Sequence, residues 1–218
     1  MTKTQKAIYV IEKLLEIYPE PKCTLDYNKP YELLIATILA AQSTDERVNK
    51  ITTKLFKKYP TLEHFANANL EELERDIKPV GFYKNKAKSI KETAKILIDK
   101  YNGALPDSIE ALTKLKGVGR KTANVIMANI FGVPSIIVDT HCMRLSNRIG
   151  FVKSKDPDKI EFELRKIVPF DMYTTFSNLM VYHGRATCKA RKPKCSECII
   201  NNVCDFYKRL SNDIILNV

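Results

Sequence analysis

The sequence LTKLKGVGRKTA, residues 112–123, decides the fold. Two leucines at helical spacing are followed by Gly117 and Gly119, and helix-forming residues resume at Arg120. Glycine tolerates positive φ, so the chain can reverse within this short turn. The N–H groups of such a turn, together with the start of the next helix, can bind a phosphate oxygen. The stretch predicts two helices joined by a tight turn that faces a polyanion.

Helical periodicity extends over the rest of the chain. Ala7, Ile11 and Leu14 recur at helical spacing, and residues 31–41 form a nearly continuous apolar segment that should be buried. No stretch has the sustained alternation of a strand. We interpret residues 135–138, the most strand-like piece, as an extended connection. The fold class predicted is all-α.

Three pairs of residues predict where helices begin. Ser43 with Glu46 and Asp107 with Glu110 have the spacing of capping boxes, and Asp156 precedes Pro157. An apolar stripe from residue 87 to residue 101 ends at Asn102-Gly103, which is typical of a helix C-terminus.

The charge is basic and unevenly distributed. Thirty-six Lys and Arg face 25 Asp and Glu, a net charge of +11. Residues 111–138 and 172–196 contain no acid, and six lysines between residues 78 and 95 face Glu92 alone. Such segregation favours a polyanionic partner, most commonly nucleic acid. A solvated basic surface without a partner would explain the charge alone equally well.

The N-terminal segment has the pattern of an amphipathic helix rather than a secretion signal. The longest apolar stretch, residues 33–41, is too short to cross a bilayer. We therefore expect a soluble, intracellular and cytoplasmic monomer with no membrane partner.

Four of the six cysteines lie close together near the C-terminus, at positions 188, 195, 198 and 204. In a reducing compartment this pattern favours a metal site over disulfides. Four thiolates can surround one metal centre, and the spacing by itself leaves zinc and an iron–sulfur cluster equally open. Cys23 and Cys142 stand apart and are interpreted as ordinary thiols.

Lys121 and Asp139 are the candidate catalytic residues. Lys121 follows the glycine turn directly, and a neutral lysine amine can attack an electrophilic carbon and form a Schiff base. Asp139, in the sequence VDTH of residues 138–141, precedes another helix. A solvated lysine and a helix N-cap are the ordinary alternatives for these two residues.

Several segments together resemble the endonuclease III family. Residues 115–125 look like its helix–hairpin–helix, and residues 138–141 look like its Gly/Pro-Asp loop. Residues 38–45, residues 80–87 and the 6-2-5 spacing of the cysteines match as well, in unbroken order along the chain.

The resemblance implies a base-excision repair enzyme that acts on double-stranded DNA containing damaged or abasic sites. Such an enzyme removes oxidised pyrimidines, such as thymine glycol, and then cleaves the strand as an abasic-site lyase. It also implies two helical domains that flank a DNA-binding cleft. Residues 22–132 would form a six-helix domain with the helix–hairpin–helix at about 109–131. Residues 1–21 and 133–218 would form the iron–sulfur cluster domain.

Residue roles follow from the same resemblance. Lys121 attacks the sugar C1′, Asp139 assists, and Cys188, Cys195, Cys198 and Cys204 hold a [4Fe–4S] cluster. Gln42 and Phe82 would enter the space left by the flipped nucleotide, although the family usually has an aliphatic residue at the position of Phe82. The other residues expected to contact DNA are Gly117, Val118, Gly119, Arg120, His141, Arg144, Lys189, Arg191 and Lys192.

Two alternatives stay open. A monofunctional mismatch or adenine glycosylase of the same superfamily would share most motifs, but those branches lack a lysine at the position of Lys121. A non-catalytic DNA-binding redox sensor would keep the glycines and cysteines but would not need Lys121 together with Asp139.

Overall fold

The computed structural model describes residues 1–215, with side chains described as far as Ser211. Within this range the chain forms helices and loops and no strand, so the predicted all-α class is confirmed. None of the described helices is long and apolar enough to cross a membrane. The α-helices are α1 (Lys3–Ile17), α2 (Pro30–Ala40), α3 (Asp45–Lys58), α4 (Leu62–Asn67), α5 (Leu70–Asp76), α6 (Tyr83–Tyr101), α7 (Ile109–Leu112), α8 (Arg120–Asn129), α9 (Thr140–Ile149), α10 (Pro157–Arg165), α11 (Tyr173–Ala186) and α12 (Asp205–Ile215).

The chain divides into two compact units. One, called here the hairpin unit, is the continuous stretch Cys23–Val133. The other, called the terminal unit, combines Met1–Lys22 with the chain from Pro134 onward. Short 3-10 turns at Phe170–Met172 and Asn201–Val203 belong to the terminal unit.

The hairpin unit is built around α2. Residues 32–39 of this helix are all buried, because α3, α6 and α8 pack around it. Glu32 is the one buried charge on α2, and its Oε2 accepts hydrogen bonds from the backbone N–H groups of Asn28 and Lys29. Residues 23–133 contain seven helices rather than the six expected. One more helix is present because Asn69 caps α5 and separates it from α4.

The terminal unit joins the two ends of the chain in one core. Leu14 of α1, Cys142 of α9 and Phe176 of α11 are fully buried in the same apolar cluster. Residues 135–138 run as an extended connection into α9, as predicted. The side-chain hydroxyls of Thr174 and Ser177 accept hydrogen bonds from the N–H groups of Ser135 and Ile137 and hold this connection against α11.

The predicted helix starts are partly right. Asp156 caps α10 and accepts hydrogen bonds from the N–H groups of Asp158 and Lys159. The other two starts were placed one residue too early. Thr44, not Ser43, caps α3, and Ser108, not Asp107, caps α7. The hydroxyl of Thr44 accepts a hydrogen bond from the N–H of Arg47, and that of Ser108 accepts one from the N–H of Ala111. The capping-box spacing alone therefore selected the wrong cap residue.

Candidate functional site

The glycine turn is held rigidly inside the hairpin unit. Gly117 has φ +75°, and a Cβ added to it would lie 3.0 Å from the Cβ of Ser89 on α6. Thr93, one turn further along α6, donates a hydrogen bond of 3.0 Å to the carbonyl of Lys116. Val118 is buried and its N–H donates to Leu115 O at 3.2 Å. The turn therefore presents a fixed backbone surface, as binding a phosphate requires.

Lys121 is exposed in the first turn of α8. Gly119 is the N-cap and has no side chain with which to cap the first N–H groups of this helix. These groups and the positive end of the helix dipole favour an anion at this point. The half-buried thiol of Cys23 lies close enough to be affected by the lysine. Burial raises the pKa of Cys23, and the charge of Lys121 acts in the opposite direction.

Asp139 is the N-cap of α9, as the ordinary alternative for this residue suggested. Its Oδ1 accepts a hydrogen bond of 2.7 Å from the N–H of Cys142. Because Cys142 is fully buried, this hydrogen bond fixes the direction of a half-buried carboxylate. Helix capping and a catalytic role are compatible here, since the cap uses one carboxylate oxygen.

His141 and Arg144 contact each other, with 3.0 Å between His141 Nδ1 and Arg144 Nη2. Burial lowers the pKa of His141, the nearby arginines lower it further, and Asp139 opposes the shift. Arg144 also donates through Nε and Nη2 to the carbonyl of Cys188, and through Nη2 to that of Gly184. Its planar head thus ties α9 to the first cysteine. The DNA contacts expected of both residues stay predictions.

Gln42 and Phe82 share an uncommon backbone conformation in the hairpin unit. Each has φ +57°, in the left-handed region that residues with a side chain rarely adopt. Gln42 follows the C-terminus of α2, and Phe82 is the N-cap of α6. Both side chains are exposed, Phe82 by 65%. Strained backbone of this kind is concentrated at functional positions.

The four C-terminal cysteines line one cavity, which is partly open to solvent. Leu145, Ile149 and Ile200 line the same cavity, so the thiols face an apolar space. Among the described residues, no three His, Cys, Asp or Glu side chains converge closely enough for a single metal ion. Four separated thiols around one cavity fit the donor set of an iron–sulfur cluster.

Two of these thiols, those of Cys195 and Cys198, ionise less readily than a free cysteine. Burial raises the pKa of Cys198 to about 11 and raises that of Cys195. A bound metal centre supplies the positive charge that stabilises such thiolates.

Arg148 is a residue that the sequence analysis missed. Its guanidinium donates to the Cys188 thiol at 3.4 Å and to the carbonyls of Lys189 and Ala190 at 2.7 and 2.9 Å. It also stacks on Phe206, 4.7 Å from the ring centroid. Arg148 thereby holds the start of the segment between the first two cysteines. Lys189, Arg191, Lys192 and Lys194 are all exposed on this segment. The sequence signal that could have revealed Arg148 is its spacing of four residues from Arg144, which places both on the same face of α9.

The comparisons with known proteins agree with this arrangement. Residues 35–170 match the HhH-GPD superfamily of base excision DNA repair proteins, and residues 188–204 match the iron–sulfur binding domain of endonuclease III. The endonuclease III of Synechocystis sp. is 45% identical over 204 residues, which cover 93% of each chain.

Two solved structures extend the similarity to the fold. A trapped endonuclease III–DNA covalent intermediate has a TM-score of 0.92 and 42% identity, covering 97% of this chain and all of that one. A thermostable thymine-DNA glycosylase has a TM-score of 0.82 and 27% identity, covering 94% of this chain and 98% of that one.

The cofactor is accordingly a [4Fe–4S] cluster, and Cys188, Cys195, Cys198 and Cys204 all lie within the matched iron–sulfur domain. Both matched segments, the fold and the near-complete coverage lead to one assignment. The chain belongs to the endonuclease III family, the base-excision repair enzymes that combine DNA glycosylase and abasic-site lyase activities.

Proposed function

We propose that this enzyme removes oxidised pyrimidines from double-stranded DNA and cleaves the strand through a Schiff base on Lys121. The single observation that carries the proposal is the placement of Lys121. It is an exposed amine directly after a rigid glycine turn, in a chain of this family. The turn and the start of α8 would bind a phosphate, and this contact would bring a neighbouring sugar to the amine.

The reaction can be written from the chemistry of a lysine amine. The lone pair of the Lys121 Nζ forms a bond to the deoxyribose C1′, and the glycosidic bond breaks with its electron pair leaving on the base. Opening of the sugar ring then gives an imine between Lys121 and C1′. The imine acidifies the C2′ proton, and loss of that proton expels the 3′ phosphate by β-elimination. Hydrolysis of the remaining imine frees the lysine.

Asp139 would assist the first step. A carboxylate can accept a proton from the lysine ammonium or stabilise the positive charge that develops on the sugar. The hydrogen bond from Cys142 already fixes the direction of this carboxylate, which reduces the reorganisation needed during the reaction.

DNA binding is assigned to two surfaces. The turn residues Gly117, Val118, Gly119 and Arg120 would bind phosphates from the hairpin unit, while Lys189, Arg191 and Lys192 would do so from the terminal unit. Cys188, Cys195, Cys198 and Cys204 would hold the cluster, and their attachment to it would order the loop that carries these cations. The chain would act as a monomer in the cytoplasm, on the nucleoid if its source is prokaryotic.

Borohydride trapping tests the proposal directly. Duplex DNA with one thymine glycol is incubated with the enzyme and borohydride, which reduces the imine to a stable adduct. Wild-type protein should release the base and give the adduct, and Lys121→Gln should do neither while still binding damaged DNA. Lys116→Gln is the matched control, because it removes a nearby cation and leaves the amine; it should bind more weakly and still be trapped.

Two outcomes would contradict the proposal. Normal trapping by Lys121→Gln would assign the nucleophile to another amine. Efficient removal of thymine from a T·G mismatch, without any trapped adduct, would favour the monofunctional alternative that the thymine-DNA glycosylase fold represents.

A further inference from the structure

Lys86 is a buried cation that the proposed reaction does not use. It lies in the first turn of α6 and is 6% exposed, whereas lysines are almost never fully buried unless they are paired. Its Nζ donates to the carbonyl of Leu39 at 2.9 Å and to that of Ala41 at 2.6 Å. Burial lowers the pKa of Lys86. Although it belongs to the basic stretch of residues 78–95, Lys86 therefore faces the protein interior.

The two carbonyls that Lys86 binds belong to the end of α2. The last carbonyls of a helix lack helical partners and carry the negative end of its dipole, so an ammonium group is well suited to this position. The next residue after Ala41 is Gln42, whose backbone is left-handed. Glycine usually occupies such a position after a helix. The hydrogen bonds from Lys86 hold the chain on the N-terminal side of this strained residue.

The backbone of Lys86 holds a second strained residue. Its N–H donates to the carbonyl of Phe82 at 3.1 Å, closing the first turn of α6. Phe82 is the left-handed N-cap of that helix. A single buried residue thus connects the segments that carry Gln42 and Phe82, through its side chain to one and its backbone to the other.

We propose that Lys86 is a positioning residue that keeps Gln42 and Phe82 in the arrangement needed to fill the space left by a flipped nucleotide. The inference rests on the proposed function, which places these two side chains in DNA. Inserting a side chain into a base stack requires the bases to unstack, which costs free energy. If the turns that carry Gln42 and Phe82 could change conformation easily, they would move away and the bases would stay stacked. Hydrogen bonds shielded from water resist that relaxation better than exposed ones do.

A purely structural role would look different. If Lys86 only stabilised the end of α2, its removal would lower the melting temperature and would leave catalysis by the folded protein intact. The experiment therefore needs readouts of nucleotide flipping and of coupling to Gln42, measured on folded protein well below the melting temperature.

Lys86→Met keeps the length of the side chain and removes the ammonium group. The matched control is Lys91→Met, because Lys91 lies on the same helix and also donates to a backbone carbonyl, that of Ala68. The substrate is a duplex with one thymine glycol and a neighbouring 2-aminopurine, whose fluorescence rises when it unstacks. At saturating enzyme, Lys86→Met should lose this rise and slow base release roughly 10- to 100-fold. Lys91→Met should stay within about twofold of wild type.

A double-mutant cycle tests whether Lys86 acts through Gln42. If it does, adding Lys86→Met to Gln42→Ala should slow base release by no more than about twofold beyond Gln42→Ala alone, because coupled residues are not additive. Lys86→Gln, which retains an N–H donor, serves in the same comparisons and replaces Lys86→Met if that variant does not fold.

Multiplicative effects in the cycle, or equal rates for Lys86→Met and Lys91→Met, would overturn the inference alone. Failure of wild-type enzyme to form any borohydride adduct would overturn the proposed function and this inference with it. The two failures are thus distinguishable in one set of measurements.

Discussion

At the scale of single residues, two glycines of one turn have different physical roles. Gly117 has a positive φ, and a Cβ added to it would crowd Ser89, so glycine meets both a conformational and a steric requirement there. Gly119 has φ −93°, and a Cβ added to it would meet nothing within 4 Å. Because Gly119 has no side chain, the surface that we propose for phosphate binding stays uncovered.

This difference gives a prediction about stability. Gly117→Ala should lower the free energy of unfolding by about 1–3 kcal/mol, because the new Cβ is strained at φ +75° and crowds Ser89. Gly119→Ala should change it by less than about 0.5 kcal/mol, since neither condition applies. Denaturant unfolding monitored by circular dichroism measures both. Equal losses for the two variants would mean that flexibility of the whole turn, rather than Gly117 itself, controls its stability.

Residues differ in how far the sequence reveals them. Lys121, Asp139 and the four cysteines were predicted because their positions follow local motifs. Lys86 and Arg148 were not, since the sequence shows Lys86 only as one of six lysines between residues 78 and 95 and Arg148 only at helical spacing from Arg144. Their contacts with Leu39 and Lys189 join residues far apart in the chain, and that proximity comes from tertiary packing.

At the scale of elements, the segment from Cys188 to Cys204 has little regular structure of its own. Its only helical part is the 3-10 turn Asn201–Val203. The segment is held by Arg144 and Arg148 of α9, and the proposed binding of its cysteines to the cluster would hold it further. Helix periodicity predicted the long helices well, but it carries no information on a loop whose shape depends on such contacts.

The exposed cations of this segment should act as a phosphate-binding unit. Changing Arg191 and Lys192 together to Ala should weaken binding of damaged and undamaged DNA alike, and the salt dependence should become shallower by about 0.9 log unit for each phosphate that is no longer neutralised. The matched control changes Lys153 and Lys155, also exposed in the terminal unit, and removes the same charge. Fluorescence anisotropy titrations across salt concentrations measure both. If both double variants had the same salt dependence of binding, the loss of affinity would come from the lower net charge and not from specific phosphate contacts.

At the scale of the whole molecule, the terminal unit depends on both ends of the chain. α1 contributes Ala7, Val10, Ile11 and Leu14 to the core, all essentially without solvent exposure. The proposed cluster ligands belong to the same unit, and three of them, Cys188, Cys198 and Cys204, pack against this core. Stability of α1 and retention of the cluster should therefore be linked.

Leu14→Ala tests that link. The cavity should lower the free energy of unfolding by about 2–5 kcal/mol, and the purified protein should contain less iron. Ile8→Ala is the matched control on the same helix, because Ile8 is 38% exposed and should change stability little. Iron and sulfide analysis together with thermal denaturation provides the measurement. Full iron content in a strongly destabilised Leu14→Ala protein would show that cluster retention does not depend on the packing of α1.

The division of the terminal unit between the two chain ends also has a consequence for biosynthesis. During translation α1 is made before its core partners in α9 and α11, which follow more than a hundred residues later. At about 5–20 residues per second, the last cysteine is made roughly 10 to 40 seconds after α1. The hairpin unit can fold during translation, whereas the core around α1 can form only after α9 and α11 have been made. A cluster held by all four C-terminal cysteines can therefore be inserted only after Cys204 has been made.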